Sequence, residues 1–190
     1  LGRPTGFSVT VTDRPGTTAT IRLVLNKTPE PTLGAEGYHL SVGTNSVLIR
    51  ANQPAGIFYG IQTLMQLLPK EIESKDVVNR ASWQAACVDI TDYPRFGWRG
   101  LMLDVSRHFF TKQEVKDFID EMVKYKFNLL HLHLTDDEGW RVEIKGLPNL
   151  TKVGAWSVKR VGTFGTFPDP APDEPRDYGG YYTAADIREI

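Results

Sequence analysis

The chain is poor in most of the features that announce a specialised architecture. It has one cysteine in 190 residues, Cys87, so no internal disulfide can form and no thiol cluster can hold a metal. Its longest apolar runs are short and broken by charge or glycine, which excludes a transmembrane helix. The opening LGRPTGF lacks the apolar core of a signal peptide, although a trimmed start would look the same, so export stays open. Neither sign of charge is in surplus: 22 Lys and Arg stand against 23 Asp and Glu, for a formal net charge of -1. That balance offers nothing to grip a nucleic acid, and no acidic run forms a tail. The sequons at Asn26 and Asn149 are no more than chance supplies. With 41% hydrophobic and 24% charged residues, the composition is that of a soluble globular protein.

Residues 7 to 51 alternate extended runs with turn signals and predict a small antiparallel sheet. TIRLVL at 20–25 has the β-branched content of a strand, and YHLSV and SVLIRA flank Gly43, Thr44 and Asn45 as a hairpin would. Pro54 then stands at a first helical position, and Ile57, Ile61, Leu64 and Leu68 recur at helical spacing. Phe58 and Met65 widen that stripe, which predicts a helix laid with its apolar face on the sheet. Pro69 and KEIESKD close the helix. QAACVDITD at 84–92 reads as one more strand, with Cys87 a buried thiol inside it. DYPRFGW breaks that strand and puts a boundary near Tyr93 to Gly97, so that residues 1–95 form a small α+β domain and 96–190 a second one.

In the second part WRGLMLDV is a near-continuous apolar run, as in a parallel strand buried on both faces. Thr111 with Glu114 forms a capping box for the helix KQEVKDFIDEMVKYK, whose Val115, Phe118, Ile119, Met122 and Val123 lie on one side. NLLHLHL at 128–134 is a second buried strand, which completes a right-handed βαβ unit. A Gly/Pro-rich stretch at 162–180 leads to a new helix start at Thr183. Two strands cannot close a sheet or a barrel. The class is therefore α/β, with the first βα units of an incomplete barrel in a chain that reads as part of a longer protein. Open edges and uncovered apolar faces predict that residues 96–190 lean on the small domain, on a partner or on self-association.

In an α/β barrel, chemistry collects at the C-terminal ends of the strands. HLHLTDDEGWR, His131 to Arg141, stands at such an end, and three readings of it are open. His131 and His133 share a strand face and could begin a metal site in a barrel hydrolase, with Asp136 as a further ligand. Asp136, Asp137 and Glu138 could instead be acid and base groups, one with a raised pKa. Or they could be a polar rim, one capping a turn while the others face water. The acidic pair Asp173 and Glu174, in a proline-rich loop, reads as solvated surface. Arg99 starts the first barrel strand, and Asp104, Arg107 and His108 lie at its end. An arginine in so buried a strand needs an acceptor, either a structural carboxylate or a polyhydroxylated ligand.

Taken together, FGWRGLMLDVSRHFF, HLHLTDDEGWR and the later GGYYT resemble the opening of the catalytic barrel in the family-20 glycoside hydrolases, the β-N-acetylhexosaminidases. IRANQPAGIFYGIQTLMQLLP resembles the helix of the small α+β domain that precedes that barrel, so the likeness covers roughly residues 46 to 190. The resemblance implies a TIM (β/α)8 barrel and removal of terminal non-reducing N-acetylglucosamine or N-acetylgalactosamine from glycans, with retention. In such enzymes the substrate's acetamido oxygen attacks the anomeric carbon, a glutamic acid protonates the leaving oxygen, and a neighbouring aspartate holds the acetamido group. It implies no metal or organic cofactor, and a carbohydrate as the partner. Carried over by position, Arg99 matches the arginine that grips the sugar hydroxyls, and Asp136 the aspartate that supports the acid, with Asp137 the adjacent alternative. Trp140 and Arg141 shape the loop. The family's G-G-D-E stretch, which holds its acid pair, does not occur here, and Asp137 and Glu138 are not that pair. The expectation is a hexosaminidase whose 190-residue piece is inactive alone; the rival is a module that binds sugar through Arg99 without hydrolysing it. The single cysteine points to a bacterial enzyme, periplasmic or exported.

Overall fold

The computed structural model describes residues 1–13, 20–163 and 165–190, and the sequence readings that touch 14–19 and 164 lie outside the described residues. The chain divides into two compact units, Leu1–Gly97 and Trp98–Ile190.

The first unit opens with a single helical turn, α1 (Gly2–Thr5), followed by strands β1 (Thr20–Leu25), β2 (Tyr38–Val42) and β3 (Ser46–Ala51), helix α2 (Pro54–Leu67) and strand β4 (Val88–Asp92). Its sheet has the order β1-β3-β2-β4. The predicted hairpin is there, with β2 antiparallel to β3, and β4 is antiparallel to β2. The expected all-antiparallel sheet is corrected, because β1 runs parallel to β3 from Thr20↔Ser46 to Leu25↔Ala51. The cause is the connection from β1 to β2, which carries the chain past the place β3 will take. Asn52 fixes that connection: its amide donates to the carbonyls of Glu30 at 2.7 Å and Gly34 at 2.9 Å, and its oxygen accepts from Glu30 N–H at 2.9 Å.

Pro54 does begin α2. The helix buries Gly56, Tyr59, Gly60 and Leu64 on Tyr38, Leu40, Val42, Ile49 and Ala51, with Ile57 and Ile61 at the flank. Phe58, expected in the stripe, is 43% exposed. The glycines explain the rotation. A Cβ at Gly56 would lie 2.3 Å from the Gly37 carbonyl oxygen, and one at Gly60 2.5 Å from Ile49 Cγ2, so helix backbone rests directly on the sheet. The final strand is shorter than predicted, and Cys87 lies outside it and exposed, not buried.

In the second unit β5 (Gly100–Asp104) and β6 (Leu129–His133) are parallel, in register from Gly100↔Leu129 to Asp104↔His133, with α3 (Lys112–Lys124) between them in sequence. The capping box holds in both directions: Thr111 Oγ1 accepts from Glu114 N–H at 3.3 Å, and Glu114 Oε2 accepts from Thr111 N–H at 2.7 Å. Leu103, Leu130, Leu132 and Leu134 pack with Val105, Val115 and Tyr182, so the leucine face of β6 is the core face and the histidines point the other way. Two-residue strands β7 (Thr135–Asp136) and β8 (Gly139–Trp140) follow, then a turn of helix, α4 (Asn149–Lys152), the pair β9 (Trp156–Ser157) and β10 (Tyr178–Gly179), and α5 (Ala184–Glu189). The loop between β9 and β10 is held by Arg160, whose Nη1 and Nη2 meet Glu174 Oε1 and Oε2 at 2.6 and 3.0 Å, so Glu174 is not the solvated residue the sequence suggested. Among the described residues the β5–β6 sheet has no further strand, and its non-helical face exposes Met102 (56%) and Leu129 (41%).

Charge ties α5 to α3. Lys112 reaches Asp186 at 2.9 Å and Glu189 at 2.6 Å, and Lys116 reaches Glu189 at 3.1 Å. The Thr183 hydroxyl and the Lys112 ammonium hold the Asp186 carboxyl far below its usual value, and Lys112 and Lys116 lower Glu189. A carboxylate whose pKa is lower folded than unfolded stabilises the fold above its unfolded value, roughly 4, and loses that contribution as pH falls through the folded value. The thermal midpoint is therefore expected to be flat between about pH 5 and 7 and to drop below about pH 4, with a smaller drop in Asp186→Asn. Melts across that range check this; a midpoint that rises on acidification contradicts it.

Candidate functional site

The site forms where β5 and β6 end. Asp104 closes β5 and turns the chain on itself, its Oδ1 accepting from Ser106 N–H at 2.9 Å and Arg107 N–H at 3.1 Å. His133 closes β6 directly beside it. The next residues double back as a β7–β8 hairpin, Thr135↔Trp140 and Asp136↔Gly139, whose turn is Asp137 and Glu138. These two returns put the Arg107 guanidinium among three carboxylates. Nη1 lies 2.8 Å from Asp104 Oδ2, Nη2 2.6 Å from Asp136 Oδ2, and Nε 3.2 Å from Glu138 Oε2. The Glu138 oxygen is buried and makes no hydrogen bond, so its contact with Arg107 is one of charge alone.

His133 Nε2 lies 2.9 Å from Asp136 Oδ2 and 3.0 Å from Arg107 Nη1. One imidazole nitrogen cannot donate to the carboxylate and accept from the guanidinium together. An Nε2–H donated to Asp136 is the assignment that leaves Arg107 Nη1 on Asp104. The N–H of Asp137 and then His133 lower the Asp136 carboxyl, with the Arg107 charge adding to them. For Asp104 partial burial pushes upward, and the N–H and guanidinium of Arg107 together with the Ser106 N–H outweigh it, leaving the group lowered. Both are ionised at neutral pH. Asp136 is thus not a carboxyl raised for acid chemistry. Asp137 is exposed and gives Asp136 only its backbone N–H, at 2.8 Å, so Asp136 alone of the adjacent pair belongs to the cluster.

Two more readings of the sequence bear on this cluster. Arg99 does not share this site. Its Nε donates to the Lys126 carbonyl at 2.8 Å and its backbone N–H to Asn128 Oδ1 at 3.0 Å, which pins it at the start of the strands. Five strand residues, about 16 Å, separate that end from Asp136. The arginine at the mouth is Arg107, and the signal for it was present: it follows the aspartate that ends a barrel strand. The metal reading of His131 and His133 also lacks a donor set. Among the described residues no three His, Cys, Asp or Glu groups converge on a metal position. His133 instead lies 3.0 Å from Arg107 Nη1.

The sequence reading gave Arg141 only a loop-shaping part, yet it is fully buried. Its Nε donates to the Val105 carbonyl at 3.0 Å, Nη2 to Ser106 at 2.7 Å, and Nη1 to Ala155 and, at 3.4 Å, to Gly180. Tyr182 closes the same core with its hydroxyl donated to the Phe110 carbonyl, and burial pushes its pKa up to about 12.

The family profile "Glycosyl hydrolase family 20, domain 2" matches residues 1–93, and "Glycosyl hydrolase family 20, catalytic domain" matches residues 96–190. Among curated proteins, a beta-hexosaminidase of Porphyromonas gingivalis is 42% identical over 158 residues, which is 83% of this chain and 18% of that protein. A beta-N-acetylhexosaminidase of Cellulomonas fimi is 35% identical over 191 residues, covering 100% of this chain and 34% of its own length. Among solved structures, the Streptomyces plicatus N-acetyl-beta-hexosaminidase in complex with Thio-NAglucal superposes with a TM-score of 0.82 at 42% identity, over 100% of this chain and 34% of that one. The chain thus spans 18% and 34% of the length of these two curated relatives.

Proposed function

We propose, because this chain belongs to glycosyl hydrolase family 20 and carries its domain 2 and the start of its catalytic barrel, that the whole protein is an exo-β-N-acetylhexosaminidase. It removes terminal non-reducing N-acetylglucosamine or N-acetylgalactosamine from glycans by the retaining, substrate-assisted route. The observation that carries this reading is the cluster on Arg107 at the strand ends, which in a barrel is where substrate is met. Arg107 is the residue that grips sugar hydroxyls, in place of Arg99: its planar donors suit paired oxygens, and three carboxylates hold it still. Asp136, kept ionised by the Asp137 N–H, His133 and Arg107, supports the general acid. The acetamido oxygen of the bound sugar attacks the anomeric carbon while the acid gives its proton to the leaving oxygen. The acid and its aspartate neighbour come from outside these 190 residues, since no G-G-D-E stretch occurs among them.

Release of p-nitrophenol from its N-acetyl-β-glucosaminide and galactosaminide tests this. The whole protein is expected to turn both over and this chain alone neither. Turnover by the chain alone would put the chemistry on Asp136 to Glu138, and a whole protein inactive on both substrates would overturn the reading.

A further inference from the structure

We propose that Arg141, remote from any substrate, is a positioning residue that sets the place of Arg107, an inference that rests on the hydrolase reading above. A fully buried cation is costly unless it is fully hydrogen-bonded, and burial indeed depresses the Arg141 pKa. What holds it is four backbone carbonyls, with the Phe109 ring 5.7 Å from its Cζ. Two of those carbonyls, Val105 and Ser106, belong to the residues immediately before Arg107. Ser106 extends the hold: its buried hydroxyl donates to the Gly139 carbonyl at 2.7 Å, and Gly139 is the register partner of Asp136. The turn that presents Arg107 and the hairpin that presents Asp136 and Glu138 are therefore fastened to each other beneath the ligand face.

The surrounding sequence keeps room for this guanidinium. A Cβ at Gly139 would lie 2.3 Å from Arg141 Cζ, and one at Gly179 would lie 2.8 Å from Nη1. The guanidinium cannot swing aside without leaving carbonyls unpaired in the core. A lysine, with one compact donor head, could not span four carbonyls on three segments.

Ser106→Ala removes the fastening hydroxyl, and Gly139→Ala removes no polar atom but intrudes on Arg141. In the whole protein both are expected to raise KM for p-nitrophenyl N-acetyl-β-glucosaminide about tenfold with kcat changed less than about twofold, as for lost uniform binding. KM does not depend on how much of a sample is folded, so a role confined to stability would lower yield and melting temperature and leave KM unmoved. Unchanged KM in both variants overturns the proposal. A crystal structure of whole-protein Ser106→Ala reads it without activity: Arg107 shifted away from Asp136 supports it, and Arg107 in place contradicts it. A wild type that releases no p-nitrophenol defeats the hydrolase reading instead, and leaves that structural comparison to decide the positioning role.

Discussion

Arg107→Ala in the whole protein is expected to lower kcat/KM by about 2–4 kcal/mol, roughly 30- to 1,000-fold, while Arg99→Ala changes it by less than about threefold. The contrast follows from place rather than from residue type. Arg107 sits at the strand ends between Asp104, Asp136 and Glu138, and Arg99 is occupied with the Lys126 carbonyl at the strand starts. Removing Arg107 has a second consequence. Asp104 and Asp136 keep their low pKa partly through its charge, so both should titrate higher without it, and the acid limb of the kcat/KM profile should move upward in pH in any residual activity. Steady-state kinetics of the two variants between about pH 4 and 8 measure both effects. A large loss in Arg99→Ala with Arg107→Ala near wild type would return the sugar contact to the strand starts.

Arg141→Met is expected to cost about 3 kcal/mol of stability. Exchanging a buried ion pair for apolar residues is often neutral, because both desolvated partners leave together. Here the partners stay. The carbonyls of Val105 and Ser106 lose their donor in the core, at about 1–3 kcal/mol each, while Ala155 keeps the Gly180 N–H at 3.2 Å, and the methionine recovers only part of the loss through its own burial. Urea unfolding of wild type and variant checks it; a difference under about 1 kcal/mol would mean that those carbonyls find other donors.

Where the sequence could be read, the pattern was local. Alternation in LLHLH gives Leu130 and Leu132 to the core and leaves Leu129 with the histidines on the open face. Thr111 and Glu114 announce the start of α3, and Pro54 that of α2, through groups within one turn of each other. What could not be read depends on distant chain. Nothing in TIRLVL says that its neighbour will be β3 in parallel. The α2 stripe is turned by contacts of Gly56 and Gly60 with β-sheet residues that periodicity does not see. In the site, Asp136 and Asp137 are equivalent as letters, and only the tight β7–β8 turn sends one into the cluster and the other to solvent. Arg99 and Arg107 are eight positions apart, which β5 converts into opposite ends of the β5–β6 pair. Arg141 looks like any arginine until four carbonyls from three separate segments close on it.

The most direct measurement is a crystal structure of the whole protein with N-acetylglucosamine. The sugar is expected at the ends of β5 and β6, with ring hydroxyls within hydrogen-bond distance of Arg107 and none near Arg99. A sugar bound elsewhere, with Arg107 touching only its own carboxylates, would contradict the site proposed for this chain.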